Sequence, residues 1–251
     1  MQCSFVYLEN ALPYKDFSEE HAWEKSSKAE ELRRQKELGF HYNLAKTTRL
    51  LLNFPRIETL SLLKRYAPAG RVLDIGCGDA GYMLQLPPKH LPCGIEISKE
   101  LAAMGEKNLA ARGGFVIHSP ALEGLRQLLS ADYAAVVMRS YLEHELQPLE
   151  ALLESSRILK PSGILILKVP NYGSLNAMVM GRNWCGIRLP DHVNYFTPTH
   201  LSAMVERAGY RIHRFGLLCF RQPTSDNMWL IARKQKEPLL AVADSLGQSS
   251  L

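Results

Sequence analysis

The cysteines of this chain form no pattern that is typical of a metal site or a disulfide framework. There are five of them, an odd number, and no two are spaced as Cys-x-x-Cys. Zinc sites are commonly built on cysteine pairs at that spacing, and small secreted domains carry an even set of cysteines. We therefore expect no metal, no disulfide scaffold, and a cytoplasmic location where thiols stay reduced.

Long apolar runs and concentrated positive charge are also missing. The best apolar runs, 134–138 and 163–167, are far shorter than the roughly 20 residues of a membrane-spanning helix. The first ten residues, MQCSFVYLEN, lack the basic start and apolar stretch of a signal peptide. The 30 Lys and Arg exceed the 25 Asp and Glu by only five, whereas a nucleic-acid binder concentrates its positive charge. We expect no membrane partner and do not favour nucleic acid; the oligomeric state stays open.

The 251 residues are 46% hydrophobic and 22% charged, which suits one α/β domain with a small appendage. Residues 1–55 are polar and rich in mixed charge, and they predict an N-terminal helical cap. Within it, Ser18 is a suitable N-cap and Gly39 a suitable end for one helix. The main domain is expected over residues 56–235, with a flexible tail at 236–251.

Short apolar segments alternate with helical ones through the middle of the chain. The predicted strands are Arg71–Ile75, Cys93–Ile97, Phe115–His118, Tyr133–Met138 and Ile164–Val169. The clearest helices cover Lys99–Arg112 and Leu149–Leu159. This alternation predicts an α/β fold with a parallel sheet and helices on both faces. Two later strands, near Arg211–Leu218 and Asn227–Arg233, predict an antiparallel pair joined by a long loop.

A glycine-rich turn follows the first of these strands. Gly76, Gly78 and Gly81 satisfy the pattern Gly-x-Gly-x-x-Gly, at the point where the chain is predicted to pass from strand to helix. Glycines let the chain turn tightly while a ligand lies against its backbone. Glu96 ends the second strand, where a carboxylate can accept hydrogen bonds from both hydroxyls of a ribose. The combination predicts a nucleotide-like ligand.

Asp74 distinguishes between two ligands of that kind. A dinucleotide such as NAD places its pyrophosphate at the helix N-terminus, where a neighbouring carboxylate would repel it. S-adenosylmethionine has no phosphate, and it carries a cationic sulfonium and a cationic ammonium. The carboxylate two positions before the first glycine therefore favours S-adenosylmethionine.

The motifs resemble those of a known family. VLDIGCGDAGY at 72–82 and GIEIS at 94–98 look like the first two signatures of class I S-adenosylmethionine-dependent methyltransferases. LEH at 142–144 and LKPSG at 159–163 resemble a subgroup related to ubiquinone-type O-methyltransferases, which act mostly on small molecules. Further matching segments follow in the same order at Val169–Asn171, Arg182–Trp184, Asp191–His192 and Tyr195–Pro198. The resemblance covers residues 70–215.

The resemblance implies a Rossmann-like seven-stranded methyltransferase sheet and methyl transfer from S-adenosylmethionine to a small-molecule acceptor at oxygen. The residues it assigns to the cofactor are Asp74, Gly76, Cys77, Gly78, Gly81, Glu96, Ile97, Ala121, Leu122 and Arg139. The family often has an acidic residue after the third strand that contacts adenine, but this chain has Ser119-Pro120 there. We therefore expect an altered adenine contact or a weaker affinity for the cofactor.

Two histidines are the candidates for catalysis, because an oxygen acceptor must lose a proton and imidazole is the usual base near neutral pH. His144 follows the fourth strand at the edge of the sheet where ligands bind, and His192 lies in the predicted lid, 171–196. The other histidines receive no functional role, and their spacing does not suggest a metal cluster. Residues of the lid that could contact the acceptor are Arg182, Trp184 and Tyr195.

Two other functions are weighed against this one. A protein with the methyltransferase fold could bind the cofactor or a partner without catalysis, which the missing acidic residue near adenine would favour. A nicotinamide-dependent oxidoreductase would use a similar glycine turn, but Asp74 and the LEH and LKPSG segments argue against it.

Overall fold

The computed structural model describes residues 4–11, 58–213 and 225–235, together with the single residues 32, 36 and 39. Within these ranges the chain forms an α/β fold around a seven-stranded sheet. The tail predicted at 236–251 and nearly all of the cap predicted at 1–55 lie outside the described residues.

The seven-stranded sheet is mixed, and a separate pair of short strands lies apart from it. The strands are β1 Val6–Tyr7, β2 Gly70–Ile75, β3 His90–Glu96, β4 Phe115–His118, β5 Tyr133–Arg139, β6 Leu159–Pro170, β7 Asn194–Tyr195, β8 Tyr210–Ile212 and β9 Asn227–Lys234. Their order in the large sheet is β4-β3-β2-β5-β6-β9-β8, and β1 pairs with β7. Strands β2 to β6 are parallel, whereas β9 is antiparallel to both of its neighbours. The predicted parallel sheet and final antiparallel pair are thus confirmed.

Helices connect the strands, and hydroxyl side chains cap the N-termini of some of them. The described helices are α1 Thr59–Tyr66, α2 Lys99–Ala110, α3 Ala121–Arg126, α4 Pro148–Ile158, α5 Leu175–Met180 and α6 Pro198–Arg207. The Ser98 hydroxyl accepts a hydrogen bond from the Leu101 N–H, and the Thr197 hydroxyl accepts one from the His200 N–H. Among the described helices we find none with the length and apolar character needed to cross a bilayer.

The central strands are buried on both faces. Leu73 and Val136 belong to a core on one face of the sheet, while Val72 and Val137 belong to a core on the other. All four side chains are fully buried. Double-sided burial explains why apolar residues stand at consecutive positions in these strands, as at 72–73 and 134–138, rather than alternating with polar ones.

The segment after the glycine turn differs from the prediction of a helix. It forms only a five-residue 3-10 turn, Gly81–Gln85, which ends where Leu86 adopts an extended conformation. Leu86 precedes Pro87, and the residue before a proline is disfavoured in the helical region. The proline therefore stops the helix after five residues. Helices α3 and α5 were not predicted, and both are only six residues long.

The strand order places a crevice at the carboxyl ends of β2 and β5. The chain runs outward through β3 and β4 on one side of β2, and through β6 on the other side of β5. Ligands of open α/β sheets bind where the strand order reverses in this way. Asp74 near the end of β2 and Arg139 at the end of β5 lie at this crevice.

Candidate functional site

The conformation of the glycine turn requires glycine at two of the three positions of the pattern. Gly76 and Gly78 have φ angles of 72° and 58°, in the left-handed region that favours glycine. A Cβ atom on Gly78 would have no atom within 4 Å, so open space lies beside this residue. Gly81 is outside the left-handed region, and a Cβ atom there would lie 3.3 Å from the Asp79 carboxylate.

Glu96 holds the turn from the neighbouring strand. One carboxylate oxygen accepts a hydrogen bond from the Gly78 N–H at 2.8 Å, and the other accepts one from the Ser98 N–H at 2.9 Å. Asn108 of helix α2 adds a second tether by donating to the Asp79 carbonyl at 2.8 Å. The carboxylate is therefore both a candidate ribose ligand and a structural part of the turn.

Gly105 is a site-shaping residue that the sequence reasoning missed. It lies within helix α2, where a Cβ atom would be 3.2 Å from the Gly78 carbonyl oxygen and 3.0 Å from a methyl group of Val116. The glycine lets the helix approach the turn closely. A glycine inside a strongly predicted helix is the signal that could have found it.

Neither oxygen of the buried Asp74 carboxylate accepts a hydrogen bond of ordinary geometry among the described residues, although the Tyr82 hydroxyl is close enough to lower the Asp74 pKa. Only 1% of the Asp74 surface is exposed. Burial raises the pKa of Asp74 to about 7, against smaller opposing effects from Arg139 and Tyr82. The Arg139 guanidinium lies over the Tyr82 ring, 4.5 Å from its centroid. A buried carboxylate is costly unless it is paired, so the position suits a cationic ligand group.

The remaining predicted cofactor residues surround the turn in different ways. The Cys77 side chain is buried against Gly94, where a Cβ atom would lie 2.4 Å from its sulfur, so Cys77 offers the crevice its backbone alone. The Ile97 carbonyl lies 3.1 Å from Nε2 of His118. Ala121 and Leu122 begin helix α3 and are buried. Their contacts with a cofactor remain predictions.

His144 and His192 meet although they lie far apart in the sequence. Their rings are edge to face, with centroids 4.7 Å apart. Nδ1 of His144 lies 2.8 Å from the Asp191 carbonyl oxygen, and Nδ1 of His192 lies 2.8 Å from the Gly186 carbonyl oxygen. A carbonyl can only accept, so each Nδ1 carries the hydrogen and each Nε2 carries the lone pair.

The Glu143 side chain lies close to both histidines. It is 1% exposed, and its Oε2 atom has no hydrogen bond among the described residues. Burial raises the pKa of Glu143 to about 7 and lowers the pKa of His144 to about 4. One ligand atom from each of Glu143, His144 and His192 lies within 4.8 Å of the others. The sequence spacing did not suggest this cluster, because its members come from two distant segments.

Tyr141 connects this cluster to the glycine turn. A Cβ atom on Gly76 would lie 3.7 Å from the Tyr141 ring, and the Tyr141 hydroxyl donates a hydrogen bond to Glu145. The Tyr141 carbonyl accepts a hydrogen bond from the His144 N–H at 2.9 Å. The histidine pair therefore lies beside the same crevice as the glycine turn.

The three predicted acceptor residues have unequal surroundings. Trp184 is 1% exposed, and its indole N–H donates to the Asp226 carboxylate at 2.8 Å, so it packs the lid against the sheet. Tyr195 is mostly buried in β7, opposite Val6. Arg182 is exposed in a short 3-10 turn. Contact with an acceptor stays a prediction for all three.

Comparison with known proteins agrees with the fold. The family described as "Methyltransferase domain" matches residues 40–214, which is more than half of the chain. None of the curated proteins matches the chain by sequence.

Several solved structures share the fold at low sequence identity. A SAM-dependent methyltransferase from Thermotoga maritima, described as a possible histamine N-methyltransferase, is 21% identical; the match covers 77% of this chain and 96% of that one, with a TM-score of 0.54. A SAM-dependent methyltransferase from Archaeoglobus fulgidus is 18% identical over 78% of this chain and all of that chain, with a TM-score of 0.54. One from Methanosarcina mazei is 19% identical over 72% of this chain and all of that chain, with a TM-score of 0.56.

Proposed function

The chain belongs to the methyltransferase-domain family, and we propose that it transfers the methyl group of S-adenosylmethionine to an oxygen atom of a small molecule. The observation that carries the proposal is the buried carboxylate of Asp74 beside the glycine turn, whose oxygens accept no hydrogen bond of ordinary geometry among the described residues. S-adenosylmethionine, when bound, supplies a methyl group on a sulfonium that a nucleophile can displace.

The residues around Asp74 fit that cofactor better than a dinucleotide. A cationic methionine portion would give the buried carboxylate a partner, whereas a pyrophosphate would add a second negative charge beside it. The left-handed glycines leave the backbone of the turn open on one side, beside Gly78. Each Glu96 oxygen already accepts one backbone hydrogen bond and keeps a second lone pair that can accept from a ribose hydroxyl.

The acceptor side is assigned to the histidine pair and the lid, 171–196. The acceptor oxygen forms a bond to the methyl carbon as the carbon–sulfur bond breaks, and the hydroxyl proton must leave. His144 and His192 keep their Nε2 lone pairs because backbone carbonyls fix their tautomers. We assign them to activation of the acceptor hydroxyl, either as direct bases or through a bound group.

The lid is tied to the sheet by contacts that can order an acceptor pocket. The Tyr172 N–H donates to the Phe196 carbonyl at 2.9 Å, so the two ends of the lid are held together. Trp184 anchors its middle to Asp226, which precedes β9. A lid fixed at these points can exclude water from the reacting groups.

The proposal is tested with S-adenosylmethionine that carries an isotopic label on its methyl group. The full-length protein is incubated with a panel of small hydroxylated compounds and with matched amines in which nitrogen replaces the hydroxyl oxygen. Label on a hydroxyl compound, and none on its amine counterpart, is the expected result. Label on amines alone would overturn the oxygen assignment.

A second candidate is a protein that binds the cofactor without catalysing transfer. It is favoured by the adenine side of the site, where the Ser119 hydroxyl donates to the Pro120 carbonyl and residues 119–122, directly after β4, include no acidic residue. Binding of S-adenosylhomocysteine without label transfer to any compound of the panel would favour this candidate.

A further inference from the structure

We propose that Glu143, His144 and His192 bind a divalent cation of the zinc type. One oxygen and two nitrogen ligand atoms of these residues lie within 4.8 Å of one another. The edge of an occupied tetrahedral zinc site is about 3.4 Å, so binding would draw the three side chains slightly together. Two imidazoles and one carboxylate form a ligand set that leaves a fourth position open, as catalytic zinc sites do.

The hydrogen bonds behind the two histidines are those of metal ligands. A ligating histidine usually donates its second ring N–H to a carbonyl or carboxylate, which fixes the ring and the tautomer. His144 does so with the Asp191 carbonyl and His192 with the Gly186 carbonyl, both at 2.8 Å. Two rings held in this way beside one carboxylate are difficult to explain by packing alone.

The backbone also joins the two segments that carry the ligands. The Glu143 carbonyl accepts hydrogen bonds from the N–H groups of Val193 at 2.9 Å and Asn194 at 3.0 Å. The His192 N–H donates to the Arg188 carbonyl at 2.7 Å. The three ligands are therefore positioned by the fold and need no large movement to meet a cation.

Burial and unpaired charge give an independent reason for a cation. Oε2 of Glu143 is buried without a hydrogen bond among the described residues. Arg188 is the competing partner, since its Nε and Nη2 atoms also lack hydrogen bonds there. Nη2 of Arg188 lies 3.6 Å from the Asp191 carboxylate, and this carboxylate offsets the positive charge of Arg188. Lys168 also places positive charge near Glu143, and it opposes the rise in the Glu143 pKa more than Arg188 does.

A cation at this position would assist the proposed methyl transfer. An acceptor oxygen at the open ligand position would lose its proton more easily, because a bound dication stabilises the anion. The use of the cation rests on the proposed function, but its binding does not. The two claims can therefore fail separately.

Cobalt(II) binding tests the inference without an activity assay. The full-length protein is treated with EDTA, dialysed, and titrated with Co²⁺ while its visible d–d absorption is recorded. We expect one equivalent of Co²⁺ to bind, with the intense absorption of a four- or five-coordinate site, and Zn²⁺ to displace it. Glu143→Gln and His192→Asn should each weaken Co²⁺ binding at least about 10–100-fold.

Glu145→Gln is the matched control, since Glu145 is a buried carboxylate two positions from Glu143 and is not one of the three ligands. It should bind Co²⁺ as the wild type does, and melting temperatures identify any variant that fails to fold. Absence of d–d absorption, or equal Co²⁺ binding by wild type and folded Glu143→Gln, would overturn the inference. Either result with intact S-adenosylhomocysteine binding would leave the proposed function standing, whereas Co²⁺ binding without S-adenosylhomocysteine binding would leave only the metal site.

Discussion

The carboxylate of Glu96 accepts a hydrogen bond from the backbone N–H of Gly78 at 2.8 Å. Glu96 at the end of β3 therefore holds the glycine turn that follows the neighbouring strand, β2. Loss of the Glu96 side chain affects the turn as well as any ribose contact, and experiments on this residue must separate the two effects.

Glu96→Ala should weaken S-adenosylhomocysteine binding about ten- to a hundredfold. Hydrogen bonds to a charged group contribute about 1.5–3 kcal/mol, which corresponds to that change in the dissociation constant. The free energy of unfolding should also fall, because the Gly78 and Ser98 N–H groups lose their acceptor. Calorimetry and urea unfolding measure the two quantities.

Asn108→Ala is the control for the turn alone, since Asn108 tethers the Asp79 carbonyl and has no predicted ribose contact. It should lower stability but leave most of the binding affinity. If Asn108→Ala weakened binding as strongly as Glu96→Ala does, the ribose contact of Glu96 would be refuted.

Gly78→Ala should weaken cofactor binding, and backbone strain alone should not account for the loss of affinity. Its φ of 58° makes alanine unfavourable by roughly 1–2 kcal/mol, and the new methyl group would enter the open space beside the turn. Gly113→Ala is a matched control with φ of 68°, because its Cβ atom would make only an ordinary 3.8 Å contact with Leu91. Both variants should lose similar stability, and only Gly78→Ala should lose affinity in calorimetry. Equal affinity of the two variants would remove Gly78 from the cofactor site.

Asp74→Asn should stabilise the protein without cofactor while weakening cofactor binding. Burial raises the pKa of Asp74 from 3.8 to about 7, so the folded state favours the protonated carboxyl. The wild type therefore loses stability as the pH rises from about 4 to about 7, and the asparagine variant does not. Urea unfolding at pH 8 should show the variant more stable by roughly 2–4 kcal/mol, with a smaller difference at pH 5.

The same pKa predicts a pH-dependent affinity. Because more Asp74 is ionised as the pH rises through about 7, wild-type affinity for S-adenosylhomocysteine should increase from pH 5 to pH 8 and then level off. The affinity of Asp74→Asn should be lower and almost constant over this range. A wild-type affinity that is independent of pH would contradict the pairing of Asp74 with the cofactor's ammonium.

The histidine pair should matter for turnover more than for stability. Asparagine can reproduce the Nδ1–H donor of each histidine but has no group at the place of Nε2. His144→Asn and His192→Asn should therefore keep a near-normal melting temperature and cofactor affinity, and at least one should lose about 10²–10⁴-fold in turnover.

Glutamine at the same positions tests the opposite change. Its amide reaches toward the place of Nε2, and the hydrogen bond to the backbone carbonyl is lost. A purely structural role predicts that both asparagine variants turn over normally, while the glutamine variants lose stability. Label transfer with the acceptor found in the panel is the measurement.

Most of the sheet could be predicted from the sequence because its central strands are buried on both faces. Double-sided burial places apolar residues at consecutive positions, at 72–73 in β2 and 134–138 in β5, and the helix between β3 and β4 has a serine cap. The glycine pattern predicts a helix after the turn, but Pro87 disfavours the helical conformation of Leu86, and the segment Gly81–Gln85 forms only a 3-10 turn. Helix α3 was missed because six residues are too few for a clear periodicity.

The candidate site could be predicted only where its residues are close in sequence. Asp74 and the glycines lie in one motif, and Glu96 follows at a recognisable strand end. The meeting of Glu143 with His192 depends on how the lid folds back on the sheet, which no local pattern determines. The packing of Trp184 against Asp226 has the same cause.

Calorimetric titration of the wild-type protein with S-adenosylhomocysteine and with NAD tests the central claim most directly. The arrangement of Asp74, the glycine turn and Glu96 predicts one S-adenosylhomocysteine bound per chain and no binding of NAD. Tight binding of NAD without any response to S-adenosylhomocysteine would contradict the account.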